Sequence, residues 1–161
     1  MGSKLLQIDF PRLKSDVEAL AAIGRADDQG IYRMAFSKGD MQAREWLRER
    51  ITQAGLELHQ DGAANLFGRL AWDPEKPAVM VGSHIDTVPG AGHLDGALGV
   101  LCGLEALRSM KEQGINLKRP LELVAFPMRR DASAVCSARR PSAVISLLSG
   151  FMPPGIFQEW V

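Results

Sequence analysis

Residues 78–98 read A-V-M-V-G-S-H-I-D-T-V-P-G-A-G-H-L-D-G-A-L, and the way this stretch divides decides the fold. The run 78–81 is wholly apolar, which suits a strand buried on both faces. A glycine-rich loop follows over 82–92. From 95 to 113, Leu98, Leu101, Leu104, Leu107 and Met110 line one side of a helix, and Gly114 stops it. A second buried-type strand runs over 121–126, introduced by Pro120. Strand, loop, helix and strand make a βαβ unit, so the sheet is at least partly parallel. Ligands bind off the carboxyl ends of such strands. His84 sits at one of these ends, and the residues after Phe126 sit at the next.

Upstream, 10–25 reads as a helix with Leu13, Val17, Leu20 and Ala21 on one face. The polar segment 26–38 reads as a loop. A second helix is predicted over 40–54, with Asp40 as N-cap and Ala43, Leu47, Ile51 and Ala54 as its apolar stripe, ended by Gly55. Met41 and Trp46 are assigned to helix packing. Strands are predicted over 56–59 and 65–72, with D-P-E-K-P at 73–77 as a turn and His59 on a strand surface. The expected class is α/β, a three-layer arrangement of a partly parallel sheet and flanking helices.

The bulk composition narrows the functions. The chain has 161 residues, 46% of them hydrophobic and 24% charged, enough for one domain with a core. Nineteen basic residues balance nineteen acidic ones, which argues against nucleic acid or an anionic membrane as partner. No apolar run approaches the roughly 18–20 residues of a membrane span. The start, M-G-S-K-L-L, lacks the apolar stretch of a secretory signal. Cys102 and Cys136 form neither a disulfide framework nor a CxxC pair, and the expected location is the cytoplasm.

His84, Asp86 and Asp95 are the candidate site residues. A neutral imidazole is a good zinc ligand, and carboxylates are good harder ligands. In an extended H-x-D segment the two side chains point the same way, so the Asp86 carboxylate can reach the second ring nitrogen and fix the tautomer. Asp95, expected at the start of a helix, is stabilised there by free backbone N–H groups and can bridge two metal ions. His93 is read as an exposed loop residue. The glycines at 90–92 do not fit a dinucleotide fingerprint, and there is no nucleophile elbow.

The strings G-S-H-I-D-T-V-P (82–89) and G-H-L-D-G-A-L-G-V-L-C-G-L-E-A-L-R (92–108) resemble the N-carbamoyl-L-amino-acid hydrolase and allantoate amidohydrolase family. That family lies within the aminoacylase/carboxypeptidase-like dinuclear metallohydrolases. A-R-E-W-L-R-E-R (43–50), N-L-F-G-R (65–69) and R-P-L-E-L-V-A-F (119–126) extend the resemblance to roughly 8–126. It implies that His84 binds a metal, that Asp86 orients His84, and that Asp95 bridges two divalent ions (Zn, Mn, Co or Ni). It also implies a small-molecule substrate whose carbamoyl or ureido C–N bond is hydrolysed, and a homodimer.

After V-A-F the family carries a D-E-E-G-type turn that supplies a general base and a further ligand. Here the sequence is P-M-R-R-D, with Arg129 and Arg130 at the places of the two glutamates and Asp131 out of position. The expected organisation is a partial, N-terminal catalytic domain over 1–127. A non-family tail follows over 128–161, read as poorly ordered and as the product of a shifted reading frame. The family's later histidine ligands and its dimerisation domain are expected to be missing. Two functional readings follow: a metal-dependent amidohydrolase by descent that is inactive alone, or a non-catalytic product, either a remnant or a module that associates with a full-length homologue.

Overall fold

The computed structural model describes residues 6–127. The tail 128–161, with Arg129, Arg130 and Asp131, lies outside the described residues, as does the expectation of disorder made for it. Among the described residues the order is α1 (Phe10–Ala22), α2 (Lys38–Gln53), β1 (Glu57–Gln60), β2 (Leu66–Leu70), β3 (Val79–His84), α3 (Ala97–Glu112) and β4 (Leu121–Phe126).

Local chemistry sets the helix starts. Asp9 caps α1 by accepting from the Arg12 N–H at 3.0 Å, and Pro11 lies in the first turn, where its missing N–H costs nothing. The α2 cap differs from the expectation. Ser37, not Asp40, is the N-cap and accepts from the Asp40 N–H at 3.3 Å. Asp40 reaches back past the cap and accepts from the Phe36 N–H at 2.8 Å, one residue short of the N-cap amide that a capping box would use. Met41, assigned to helix packing from the sequence, lies off the buried stripe of Ala43, Leu47 and Ile51 and is 52% exposed.

The four strands form one mixed sheet in the order β1-β2-β4-β3. β1 with β2 and β2 with β4 are antiparallel, while β3 with β4 is parallel, as the βαβ reading requires. Leu66, Leu123 and Ala125 share one sheet face, because Leu66 stands opposite Ala125 and residues two apart point the same way. That face meets Leu13, Val17 and Leu20 of α1, Ala43, Leu47 and Ile51 of α2, and Val100, Leu101, Leu104 and Leu107 of α3 in one core. The opposite face carries the cross-strand pair Arg69–Glu122 at 2.8 Å, with the Arg69 guanidinium 3.9 Å from the centre of the Trp72 ring.

β3 corrects the sequence reading in two ways. The strand continues through the glycine to His84, so the site histidine ends a strand rather than sitting in a loop. Its apolar residues Val79, Met80 and Val81 are only half-buried, because β3 pairs with β4 alone among the described residues. An apolar run reports that a strand will be covered, not which segment covers it.

Close approach of β3 to β4 depends on one glycine. A Cβ at Gly82 would stand 1.8 Å from the Val124 carbonyl oxygen, which belongs to the partner strand's backbone and cannot move aside. Gly82→Ala is therefore expected to lower the unfolding free energy by at least the ~1–3 kcal/mol of an overpacked core site. A urea titration followed by far-UV circular dichroism measures the loss, and an unchanged midpoint would contradict the close ladder.

Candidate functional site

β3 delivers His84 to the carboxyl edge of the sheet, opposite Phe126 of β4. His84 and Asp86 come together as the H-x-D spacing predicts. His84 Nδ1 lies 3.0 Å from the Asp86 backbone oxygen and 3.3 Å from Asp86 Oδ1. The carbonyl takes the hydrogen bond. The carboxylate is an ion-pair contact, since Oδ1 has no hydrogen bond of good geometry. Both neighbours are acceptors, so Nδ1 carries the proton and the neutral ring keeps its lone pair on Nε2.

The Asp86 carboxylate beside Nδ1 raises the His84 pKa above its ordinary value of 6.5, burial opposes the rise, and the charge of Asp95 adds to it. Asp95 is thus near enough to act on the ring through its field. It is exposed and precedes α3 by two residues, with its backbone oxygen accepting from the Ala97 N–H at 2.8 Å. The expected helix-start position is corrected: Gly96 is the N-cap of α3, and no side chain caps that helix. Gly96 has φ +70°, and a Cβ there would stand 2.3 Å from His84 Cε1 and 2.5 Å from both ring nitrogens. The glycine is what lets the loop pass over the imidazole.

His93 is exposed, and His59 lies on β1 with its ring 5.7 Å from that of Phe67, far in the sheet from His84. Among the described residues no three of His, Cys, Asp and Glu converge as a metal-holding group. The described residues therefore supply one imidazole in a fixed tautomer with its orienting carboxylate, and a nearby second carboxylate.

Sequence reasoning missed what holds this loop. The segment 26–38, read only as a polar loop, is a strap. Ile31 exchanges backbone hydrogen bonds with Ala91 (3.0 and 3.2 Å), and the Thr87 N–H donates to the Arg33 oxygen at 2.9 Å. The Arg33 N–H donates to Thr87 Oγ1 at 2.9 Å, and that hydroxyl donates to the Ile31 oxygen at 3.2 Å. The Arg33 side chain is fully buried. In the sequence it is a lone arginine between Tyr32 and Met34 in a segment read as polar loop, and a charged residue there gives no hint of burial.

Comparison with known proteins gives the site its relatives. Residues 65–127 match Peptidase family M28. The chain is 39% identical over 124 residues to the N-carbamoyl-L-amino-acid amidohydrolase of Pseudomonas sp. (strain NS671), covering 76% of this chain and 30% of that protein. It is 39% identical over 111 residues to the allantoate amidohydrolase of Bacillus subtilis, covering 68% of this chain and 27% of that protein. A hydantoinase/carbamoylase family amidase from Burkholderia ambifaria superposes with a TM-score of 0.72 at 36% identity, over 76% of this chain and 30% of the other. The chain spans less than a third of the length of the curated relatives it matches. No helix among the described residues is long and apolar enough to cross a membrane.

Two expectations follow from the His84 surroundings. In the metal-free chain, the ring of His84 titrates above 6.5 by NMR, and Asp86→Asn lowers that value. A histidine whose folded pKa is raised contributes stability that is full below about pH 6.5 and is lost as the pH rises through the folded value. A His84 titrating at or below the free-histidine value would contradict the contact. Gly96→Ala should displace the ring; unchanged His84 ring shifts in that variant would argue against the contact.

Proposed function

The chain belongs to the family of the N-carbamoyl-L-amino-acid and allantoate amidohydrolases, and from that premise we propose that it carries the metal-ligand half of a dinuclear hydrolase site for linear carbamoyl or ureido C–N bonds. The observation that supports this reading best is His84 itself. Its Nδ1 is committed to Asp86, so its Nε2 lone pair is available at the carboxyl end of a parallel strand.

The donor set fits a divalent metal. One oriented imidazole with carboxylates suits zinc, manganese, cobalt or nickel. His84 would hold one ion through Nε2, Asp86 would keep the ring in its tautomer, and Asp95 would bridge to a second ion. When bound, the metal polarises the scissile carbonyl and makes water a stronger acid. Gly96 keeps space beside the imidazole, and Asp86 Oδ1 stays buried against it instead of competing for the metal.

The hydrolytic proton transfers need a base, and this chain has arginines at both positions where the family resemblance places the acidic pair. A guanidinium neither accepts a proton at neutral pH nor ligates a cation. We therefore read the 161-residue chain as a metal-binding partial site that turns over no substrate alone. Its substrate class by descent is a small N-carbamoyl amino acid or ureido acid. One observation favours the second reading, a module pairing with a full-length homologue: the β3 edge is unpaired among the described residues, and its apolar side chains are half-exposed.

Assay of the purified chain with N-carbamoyl-L-amino acids and allantoate, each with Zn²⁺, Mn²⁺ or Co²⁺, should give no turnover above the metal-only control. Calorimetry should detect Zn²⁺ binding that His84→Ala abolishes. Sustained turnover would overturn the inactive reading, and Zn²⁺ binding indifferent to His84→Ala would overturn the site. Native mass spectrometry with a full-length homologue separates the module reading: a mixed complex is expected there and not otherwise.

A further inference from the structure

Behind the His84–Asp86 pair lies a cluster of buried charges in which Asp86 is joined by Arg33, Asp40 and Arg44, three residues that none of the steps above uses. Arg33 and Asp40 are wholly buried, and Arg44 and Asp86 nearly so. Each has one buried polar atom without a hydrogen-bond partner: Arg33 Nη2, Asp40 Oδ1, Arg44 Nη1 and Asp86 Oδ1. Two cations and two anions make the cluster neutral, and their fields act on one another: Asp40 and Asp86 on both arginines, and Asp86 on Asp40. Burying four charges is unfavourable unless they are held against each other.

Arg33 has a slot made for it. Its stem runs between Gly24 and Gly39; a Cβ at the first would lie 2.8 Å from Arg33 Cγ, and at the second 3.5 Å. Its guanidinium then donates in two directions. Nη1 donates to the Leu20 and Ile23 carbonyls at 2.8 and 3.0 Å, at the exposed end of the α1 hydrogen-bond ladder. Nε donates to the Ile85 carbonyl at 3.0 Å, one residue before Asp86. Its backbone exchanges bonds with Thr87, one residue after Asp86. Asp86 is gripped on both sides by the same residue.

We propose that Arg33 is a positioning residue for the His84–Asp86 pair: by tying Ile85 to the end of α1 and pairing with Thr87, it turns Asp86 toward Nδ1 and thereby fixes the tautomer of His84. Only a planar fork spans the helix end and the strand end together, so a lysine at 33 keeps the charge and loses the grip. The purpose of the device rests on the metal-site reading, but its geometry does not, and the test needs no metal and no substrate.

The full chain is labelled with ¹⁵N-histidine and studied metal-free, above the imidazole titration range, by long-range ¹H–¹⁵N correlation. His59, His84 and His93 are the three histidines, assigned by single His→Gln variants. Wild-type His84 should show one form, protonated on Nδ1. Arg33→Met and Arg33→Lys should lose that form to the Nε2–H tautomer that free imidazole side chains favour. Thr87→Val is isosteric and removes both hydroxyl bonds, and it should shift the balance in the same direction, while Thr87→Ser restores it. A folded Arg33→Met chain with the wild-type His84 signature overturns the proposal. Should Arg33→Met fail to fold, Thr87→Val decides alone, and an unchanged signature there overturns it too. Sustained hydrolysis or an absence of Zn²⁺ binding would sink the functional reading and leave this result standing.

Discussion

The parallel pairing of β3 with β4 is the constraint on which the rest depends. Its register runs from Val79 opposite Leu121 to His84 opposite Phe126. Both strands therefore end at the same edge, and both release their chains on the same side of the sheet. A parallel pair needs a crossover, and α3 supplies it with a buried face that packs on Val81 and Leu123 at Gly103. A Cβ at Gly103 would stand 2.9 Å from Leu123 Cδ1, so helix and sheet approach at the limit that a glycine allows. The crossover is what returns the loop 85–96 over the end of β3 and brings Gly96 against the His84 ring.

Charged residues carry more of the packing than a hydrophobic pattern suggests. Glu105 of α3 is 1% exposed, yet it accepts from the Asp9 N–H and from Arg12 Nε and Nη2 at 2.8–3.0 Å. Arg108 donates to Asp16 at 2.5 Å, and Asp16 also meets Arg50 of α2 at 3.3 Å. These two networks join α1, α2 and α3 outside the apolar core. A buried pair of this kind adds little net stability over an apolar contact, but removing one partner leaves a buried charge and is costly. They define how the helices sit on one another rather than how strongly they adhere.

What the sequence made legible follows from the same physics. Periodicity found α1 and α3 because each turns one continuous apolar face to the core, and an apolar run found β4 because it is covered on both faces. The H-x-D spacing found the His84–Asp86 contact because alternation along an extended backbone is a local rule. The two-residue error at Asp95 arose because a glycine with positive φ, not an acid, starts α3. Arg33, Asp40 and Arg44 escaped because sequence patterning assigns charges to the surface. Their burial is a tertiary fact: a strap at 31–33 carries Arg33 across a loop more than fifty residues later, and Arg44 reaches the Ala64 carbonyl. The half-exposure of β3 is likewise set by what pairs with it, not by its own composition.

The chemistry of the site turns on a single contact with two opposed effects. Asp86 beside Nδ1 fixes the ring so that Nε2 presents a lone pair. The same carboxylate stabilises the imidazolium, in which Nε2 is protonated and closed to a metal. A ligand held this way binds metal only where the metal outcompetes a proton that the site itself favours. Burial works against that proton. Burial pushes the Asp40 carboxyl up while lowering the pKa of Arg33 and Arg44, so each charge in the cluster depends on its neighbours to persist. With Ile85 and Thr87 on either side of it held by fixed hydrogen bonds, the Asp86 carboxylate need not move to serve the ring. The strap thus converts an acid–base interaction that could flex into a fixed one, and that is the condition for an imidazole to act as a ligand rather than as a base.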